Sequence, residues 1–267
     1  MATTQANTNF SIIIVPGSFT KPALYEPLIT RLHSQGHDAQ AISLLSANDG
    51  SVMPPPTTDD DAAHIRQAVI SVLDSATSPK NVVLVLHSYA GFPGSSALKG
   101  LSKDDRATQG QSTAVIGVCY MASFIVPMGV SSRSYNNASD QPPGEPFRSG
   151  VPGGYMPAID SAFAAYVFND LDDEEERAKW MGTFTQHSSA SFDGEVTYEP
   201  WKDIPSVALI PGNDLIVPTR HQESMVADAV AAGGKVEKVL IEGVGHVPHL
   251  RATERVVHEI VKIGERA

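Results

Sequence analysis

Val82-Val-Leu-Val-Leu-His-Ser-Tyr-Ala-Gly91 reads as a buried strand that runs into a tight turn and then into a helix. Five apolar residues, Val82 to Leu86, have the length and character of a strand covered on both faces. A polar pair, His87 and Ser88, ends the run, and small residues follow. A serine at such a corner can be held on a strained turn with its hydroxyl raised above the sheet edge. It becomes a nucleophile if a histidine can reach it. The usual spacing at such a corner is Gly-x-Ser-x-Gly; here Leu86 and Ala90 hold those places, and glycine is delayed to Gly91. Ala90 is small enough to keep the turn, whereas Leu86 has to point into the core. Taken alone, the segment also fits a buried strand followed by an N-capping serine.

Outward from this segment, strand-length apolar runs recur at Phe10–Val15, Ala39–Leu45, Thr113–Ala122, Val207–Ile210 and Val236–Ile241. Helix-period stretches lie between them. Pro22–Gln35 carries Leu24, Leu28, Ile29 and Leu32 on one face, and Asp60–Ala76 carries Ile65, Val69, Val72 and Leu73. Asp59 to Asp61 suit that helix's N-terminus. Gly91–Leu101, Thr219–Ala232 and Thr253–Ile263 complete the set. The alternation predicts an α/β fold, with a mostly parallel central sheet and helices on both faces.

Pro127 to Trp201 breaks the rhythm. It opens rich in Ser, Asn, Pro and Gly (Ser131 to Gly154), then turns helical and aromatic. This reads as a cap, or lid, inserted above the sheet: residues 1–126 and 202–267 form the core and 127–201 the cap, all within one domain. The acidic run Asp170–Glu176 reads as a solvated helix start. Ligand pockets are lined mainly by apolar side chains. Phe163, Tyr166, Trp180 and Phe184 of the cap, with Phe19 and Phe124 of the core, are therefore the candidates for contacting a substrate.

The chain has 267 residues, 42% of them apolar, enough for a sizeable core. With 19 basic against 30 acidic residues, the net charge of -11 argues against a nucleic-acid or anionic-membrane partner. The single cysteine, Cys119, sits in an apolar run and reads as buried and inert, which fits a reducing compartment. Met1 to Asn9 lacks the basic and apolar regions of a secretion signal. A cytoplasmic protein is the expectation, and a homodimer is left open.

A nucleophilic serine needs a base, a group that orients the base, and donors for the oxyanion. His246 lies in the Gly-rich loop Gly243-Val-Gly-His246 after the last apolar run, where the ligand groups of open α/β sheets collect. His249, three residues on, is its competitor. Asp214 stands beyond the strand-like Val207–Ile210, although Asp also serves as an ordinary turn residue. Three candidates follow three strands in the order Ser88, Asp214, His246, which favours a catalytic triad over any one coincidence. The backbone N–H of Tyr89 and that of Ser18, or else Phe19, in the loop after the first strand would form the oxyanion hole.

These residues resemble the α/β-hydrolase superfamily along nearly the whole chain. Within it, the likeness is to the branch of methylesterases and hydroxynitrile lyases and to fungal hydrolases similar to them. His87-Ser-Tyr89, the run from Tyr198-Glu-Pro-Trp201 to Asp214, Val217-Pro218 and Gln222, and Gly245-His-Val-Pro248 carry it. Two departures stand out. Pro16-Gly17 replaces the usual His-Gly of the oxyanion loop, and Val247 stands where the lyases usually place lysine. The second departure favours hydrolysis. The resemblance implies an ester or lactone as small-molecule substrate. No cofactor is expected, because the nine histidines show no zinc spacing and the first strand has no dinucleotide fingerprint. The same triad in a non-hydrolytic or carbon–carbon bond-cleaving step, or a ligand-binding receptor on this fold, are the alternatives.

Overall fold

The computed structural model describes residues 10–138 and 150–266. Met1 to Asn9 and the centre of the Ser/Asn/Pro/Gly-rich stretch lie outside the described residues. The strands, in chain order, are β1 (Phe10–Val15), β2 (Asp38–Ala41), β3 (Ala47–Asn48), β4 (Asn81–His87), β5 (Val115–Met121), β6 (Tyr155–Met156), β7 (Gln186–Ser188), β8 (Ser206–Pro211) and β9 (Val236–Ile241). Six of them form one sheet in the order β2-β1-β4-β5-β8-β9, with every pair parallel. The chain lays β2 on one side of β1 and β4 on the other, so the winding reverses between β1 and β4. The crevice beyond the carboxyl ends of two such strands is the usual ligand site of an open α/β sheet.

Both faces of the central strands β1, β4, β5 and β8 are covered, which is why these strands are almost continuously apolar. Val82, Leu84 and Leu86 of β4 belong to one buried layer with Phe92 and Leu98, while Val83 and Val85 belong to the other with Leu28 and Ile260. Each fully buried side chain of this size contributes about 2 kcal/mol. The helix Thr58–Leu73 opens with a capping box between Thr57 and Asp60 and turns Ile65, Val69 and Leu73 inward. Its three N-terminal aspartates are not equivalent: Asp61 is fully buried.

The second strand is shorter than the run Ala39–Leu45 predicts. It forms the sheet edge, and beyond Ala41 the chain leaves to build β3, which pairs antiparallel with β7 in a small sheet ordered β3-β7-β6. The stretch 127–201, read from the sequence as a cap, contributes the helices Ser132–Ala138, Ser161–Val167 and Glu174–Met181. Asp173 caps the last of these by accepting from the N–H groups of Glu175 and Glu176, so the acidic run does start a helix. The return leg of the insertion behaves differently. β7 and the turn Ser189–Phe192 run into the protein, where His187, Ser188 and Ser191 are buried. No helix among the described residues is long and apolar enough to cross a membrane.

Candidate active site

Strand register gathers the candidate residues at one end of the sheet. Val15 pairs with Leu86 and His87 with Met121, so Gly17, Ser88 and Ser123 follow three adjacent strand ends. Pro211 pairs with Ile241, which brings Asp214 and His246 to the same edge.

Ser88 has φ +52°, in the left-handed region. A non-glycine residue held there costs about 1–3 kcal/mol. Close packing of the following helix, Gly91–Ala97, keeps it in place. A Cβ added at Gly91 would lie 2.2 Å from the Phe124 carbonyl oxygen, and one at Gly94 would lie 2.2 Å from Leu86 Cδ2. Ser123 Oγ also donates to the Ser88 carbonyl at 2.7 Å. The crowding expected at positions 86 and 90 is met instead at 91 and 94, and Leu86 does point into the core.

Ser88 Oγ stands 3.1 Å from His246 Nε2. His246 Nδ1 lies 2.9 Å from Asp214 Oδ2 and 3.1 Å from Oδ1. The Asp214 side chain is completely shielded from solvent. It accepts from the N–H groups of Ile216 at 2.8 Å and Val217 at 2.9 Å, and from Gln222 Nε2 at 2.8 Å. A carboxylate accepts only, so the His246 proton sits on Nδ1 and the Nε2 lone pair faces the Ser88 hydroxyl. This geometry is the one that nucleophile, general base and orienting acid require. His249 is not part of it. It is fully buried, with Nε2 on the Leu24 carbonyl at 3.3 Å and its ring stacked on Tyr25 at 4.7 Å. Burial pushes its pKa down to about 3.

A hydrogen-bond chain beneath the site joins the loop after β1 to the histidine loop. His87 Nε2 lies 2.9 Å from the His246 carbonyl, which can only accept, so the His87 proton is on Nε2. Its Nδ1 then accepts from the Tyr25 hydroxyl at 2.6 Å, and that oxygen accepts the Gly17 N–H at 2.9 Å. Burial holds His87 neutral, with its pKa well below the usual imidazole value, and the neighbouring His246 and His249 add to the effect. Gly17 has little room for a side chain: a Cβ there would lie 3.0 Å from His87 Nδ1 and 3.2 Å from Ser88 Cβ.

Of the two alternatives for the first oxyanion donor, Phe19 is excluded, because its N–H is given to His187 Nδ1 at 3.2 Å. Ser18 borders the same cavity as Ser88. Tyr89, next to Ser88, has its hydroxyl 3.1 Å from both Asp61 Oδ2 and the Ser191 carbonyl. Asp61 also accepts the Ser46 N–H at 3.0 Å and the Ser46 hydroxyl at 2.5 Å. Burial pushes its carboxyl up to about 6 against the pull of those Ser46 bonds. None of Tyr25, Asp61, His87, His187 or Ser191 stands out in the sequence as a site residue.

The cavity over Ser88 measures about 50 Å³ and is roofed by Ile159, Phe163, Val167, Phe184 and Ile216. Of the predicted substrate contacts, Phe19, Phe163 and Phe184 line it. The other three do not. Phe124 packs against Phe92 at 4.8 Å and Tyr135 at 5.1 Å, inside the core. Phe163 and Val167 share the inner helix face at i, i+4, which leaves Tyr166 outside with 55% of its surface exposed. Trp180 belongs to the apolar layer of Phe168 and Leu171, where it joins the cap to the core.

A family model described as "Alpha/beta hydrolase family" matches residues 12–259. "Alpha/beta hydrolase nvfD" of Aspergillus novofumigatus is 32% identical over 251 residues, covering 94% of each chain. "Probable hydrolase R7" of Phoma sp. is 30% identical over 244 residues, 91% of this chain and 93% of that one. Among solved structures, the methylesterase MES16 from Arabidopsis is similar with a TM-score of 0.66 at 15% identity, over 96% of this chain and 100% of its own. At that identity the likeness concerns the fold.

Proposed function

The chain belongs to the alpha/beta hydrolase family, and on that premise we propose that it is a serine hydrolase of a small to medium apolar carboxylic ester or lactone. The observation that carries this reading is the unbroken contact from Ser88 Oγ through His246 to buried Asp214, beneath a roof without charged side chains. Ser88 attacks the carbonyl carbon as His246 Nε2 takes its proton. Asp214 steadies the imidazolium, and the N–H groups of Ser18 and Tyr89 receive the oxyanion. Each such donor is worth about 3 kcal/mol in the transition state. His246 then protonates the leaving alcohol, and water, activated by the same histidine, releases the acid from Ser88.

The roof supports an uncharged substrate, since a carboxylate among Ile159, Phe163 and Phe184 would lose its hydration without gaining a partner. At about 50 Å³ the cavity is far smaller than the roughly 300 Å³ of a pocket for a drug-sized ligand. A substrate larger than a short acyl group enters by displacing the cap side chains. A panel of p-nitrophenyl esters, run beside fluorophosphonate labelling of Ser88, tests the reading. Turnover of short acyl chains with labelling at Ser88 is expected. Labelling with no turnover of any ester or lactone would overturn it in favour of a non-hydrolytic use of the triad.

A further inference from the structure

Phe19 holds φ +65° without being glycine, one residue beyond the proposed oxyanion donor Ser18. Such a residue needs support on both sides of its peptide. The return leg of the cap supplies it. The Phe19 N–H donates to His187 Nδ1 at 3.2 Å, and the Phe19 carbonyl accepts the Thr185 N–H at 2.7 Å. The Phe19 ring also lies against the His187 imidazole, with centroids 5.1 Å apart.

His187 touches the second donor residue as well. Its ring meets the Tyr89 ring edge-on at 5.0 Å. Its Nε2 donates to Ser191 Oγ at 2.9 Å, and the carbonyl of that same Ser191 receives the Tyr89 hydroxyl at 3.1 Å. Thr58 Oγ1 donates to the Ser191 carbonyl too, which ties the turn to the helix Thr58–Leu73. One buried imidazole therefore bridges the two backbone segments that must present N–H groups to the same oxygen.

We infer that His187 is a positioning residue of the oxyanion hole: it fixes Ser18 through the Phe19 peptide and Tyr89 through ring contact and Ser191. This rests on the ester-hydrolase reading above. The role requires an unprotonated Nδ1, because a proton there would face the Phe19 N–H donor to donor. Burial, which pushes the His187 pKa down to about 3, keeps that nitrogen free at neutral pH. Its ring packs against the rings of Phe19, Tyr89 and Phe192, and its two nitrogens meet the Phe19 N–H and Ser191 Oγ.

The test compares His187→Asn, whose Oδ1 can replace Nδ1 as acceptor, with His187→Gln and His187→Phe, which lose that acceptor near the backbone. Each is measured for ester kcat and KM and for affinity toward an aryl trifluoromethyl ketone, whose hemiketal with Ser88 places an oxyanion between the donors. The expected result is a 10- to 100-fold fall in kcat for Phe and Gln with KM within about twofold. Ketone affinity falls in parallel, and Asn recovers at least fivefold. The melting temperatures of Asn and Gln should be similar, so the difference reads position and not folding. Equal ketone affinity in Asn, Gln and wild type would overturn the inference while leaving the hydrolase reading intact. A wild-type protein that binds the ketone but cleaves no ester removes the hydrolase reading, and the ketone ratios then decide the role of His187. No adduct in wild type overturns both.

Discussion

The Asp170 carboxylate accepts the backbone N–H of Gly245 at 2.8 Å, immediately before His246. Next to it, Asn169 Nδ2 donates to the Asn213 carbonyl at 2.9 Å, immediately before Asp214. The Asn169-Asp170 turn thus holds the loops that carry His246 and Asp214 together. A Cβ at position 245 would lie 2.2 Å from Asn169 Oδ1, so Gly245→Ala should push this turn away and lower kcat at least tenfold. Asp170→Ala removes a charge-assisted bond worth about 1.5–3 kcal/mol and should lower kcat less than Gly245→Ala does. Steady-state kinetics of both variants check this; wild-type kcat in Gly245→Ala would show that the clash is absorbed without moving His246.

Replacing Ser88 separates chemistry from strain. Ser88→Ala and Ser88→Gly should both lose about 10⁴-fold or more in ester turnover. Glycine adopts φ +52° freely and alanine does not, so the glycine variant should be more stable than the alanine variant by about 1 kcal/mol. That corresponds to roughly 2–4 °C in melting temperature at this chain length. Equal melting temperatures would mean that the elbow stores no strain.

Fully buried imidazoles make the fold acid-sensitive. His187 and His249 are pushed down to about 3 and His87 well below its usual value, so all three stay neutral in the folded chain. Unfolded, each takes up a proton near pH 6.5. Their contribution is complete above that pH and fades as the pH falls toward 3. Asp61 acts in the opposite sense: raised to about 6, it holds a proton in the folded state between about pH 4 and 6. Near pH 5 these four groups together take up a net of about two protons on unfolding, a contribution of about 3 kcal/mol per pH unit, and His37, also lowered by burial, acts in the same sense as the other histidines. Melting temperature should drop steeply from pH 7 to pH 5, and His249→Phe should flatten the drop. A melting temperature that is level across this range would contradict the assignment.

In the cap, placement sorts the aromatic residues by consequence. Phe163→Ala and Phe184→Ala widen the cavity and should raise KM for short esters while admitting longer ones, with kcat little changed. Trp180→Ala removes a buried anchor and should cost about 3–5 kcal/mol of stability with no change in chain-length preference. Tyr166→Ala should do neither. Chain-length profiles and melting temperatures of the four variants decide, and a profile shifted by Trp180→Ala would place the pocket elsewhere.

The sequence disclosed whatever depends on local pattern. Apolar runs marked β1, β4, β5 and β8, because a strand covered on both faces has no polar alternation to hide it; the edge strand β9 showed only as Val236 and Val239–Ile241 around an exposed Glu237-Lys238 pair. Ser88, Asp214 and His246 were legible because each follows such a run. The supporting polar residues were not. Gln186-His-Ser-Ser-Ala-Ser191 has the composition of an exposed loop, and only the partners that meet it, Phe19, Thr58 and Tyr89, make its burial affordable. Asp61 sits in a run that any helix N-terminus would use, and nothing local separates it from Asp60. The roof failed in a simpler way: aromatic character does not say which side of a short helix faces inward, so Tyr166 looked equivalent to Phe163.

Ser88 and His246 meet although 158 positions separate them in the chain. A polypeptide leaving the ribosome therefore displays its serine long before its base exists. Until β9 and the loop after it have been synthesised and docked, Ser88 is an ordinary alcohol, with no partner to take its proton. On the proposed reading, the order of strands thereby times the chemistry: a half-made chain would be inert toward esters, and the first turnover would report that the last strand has arrived.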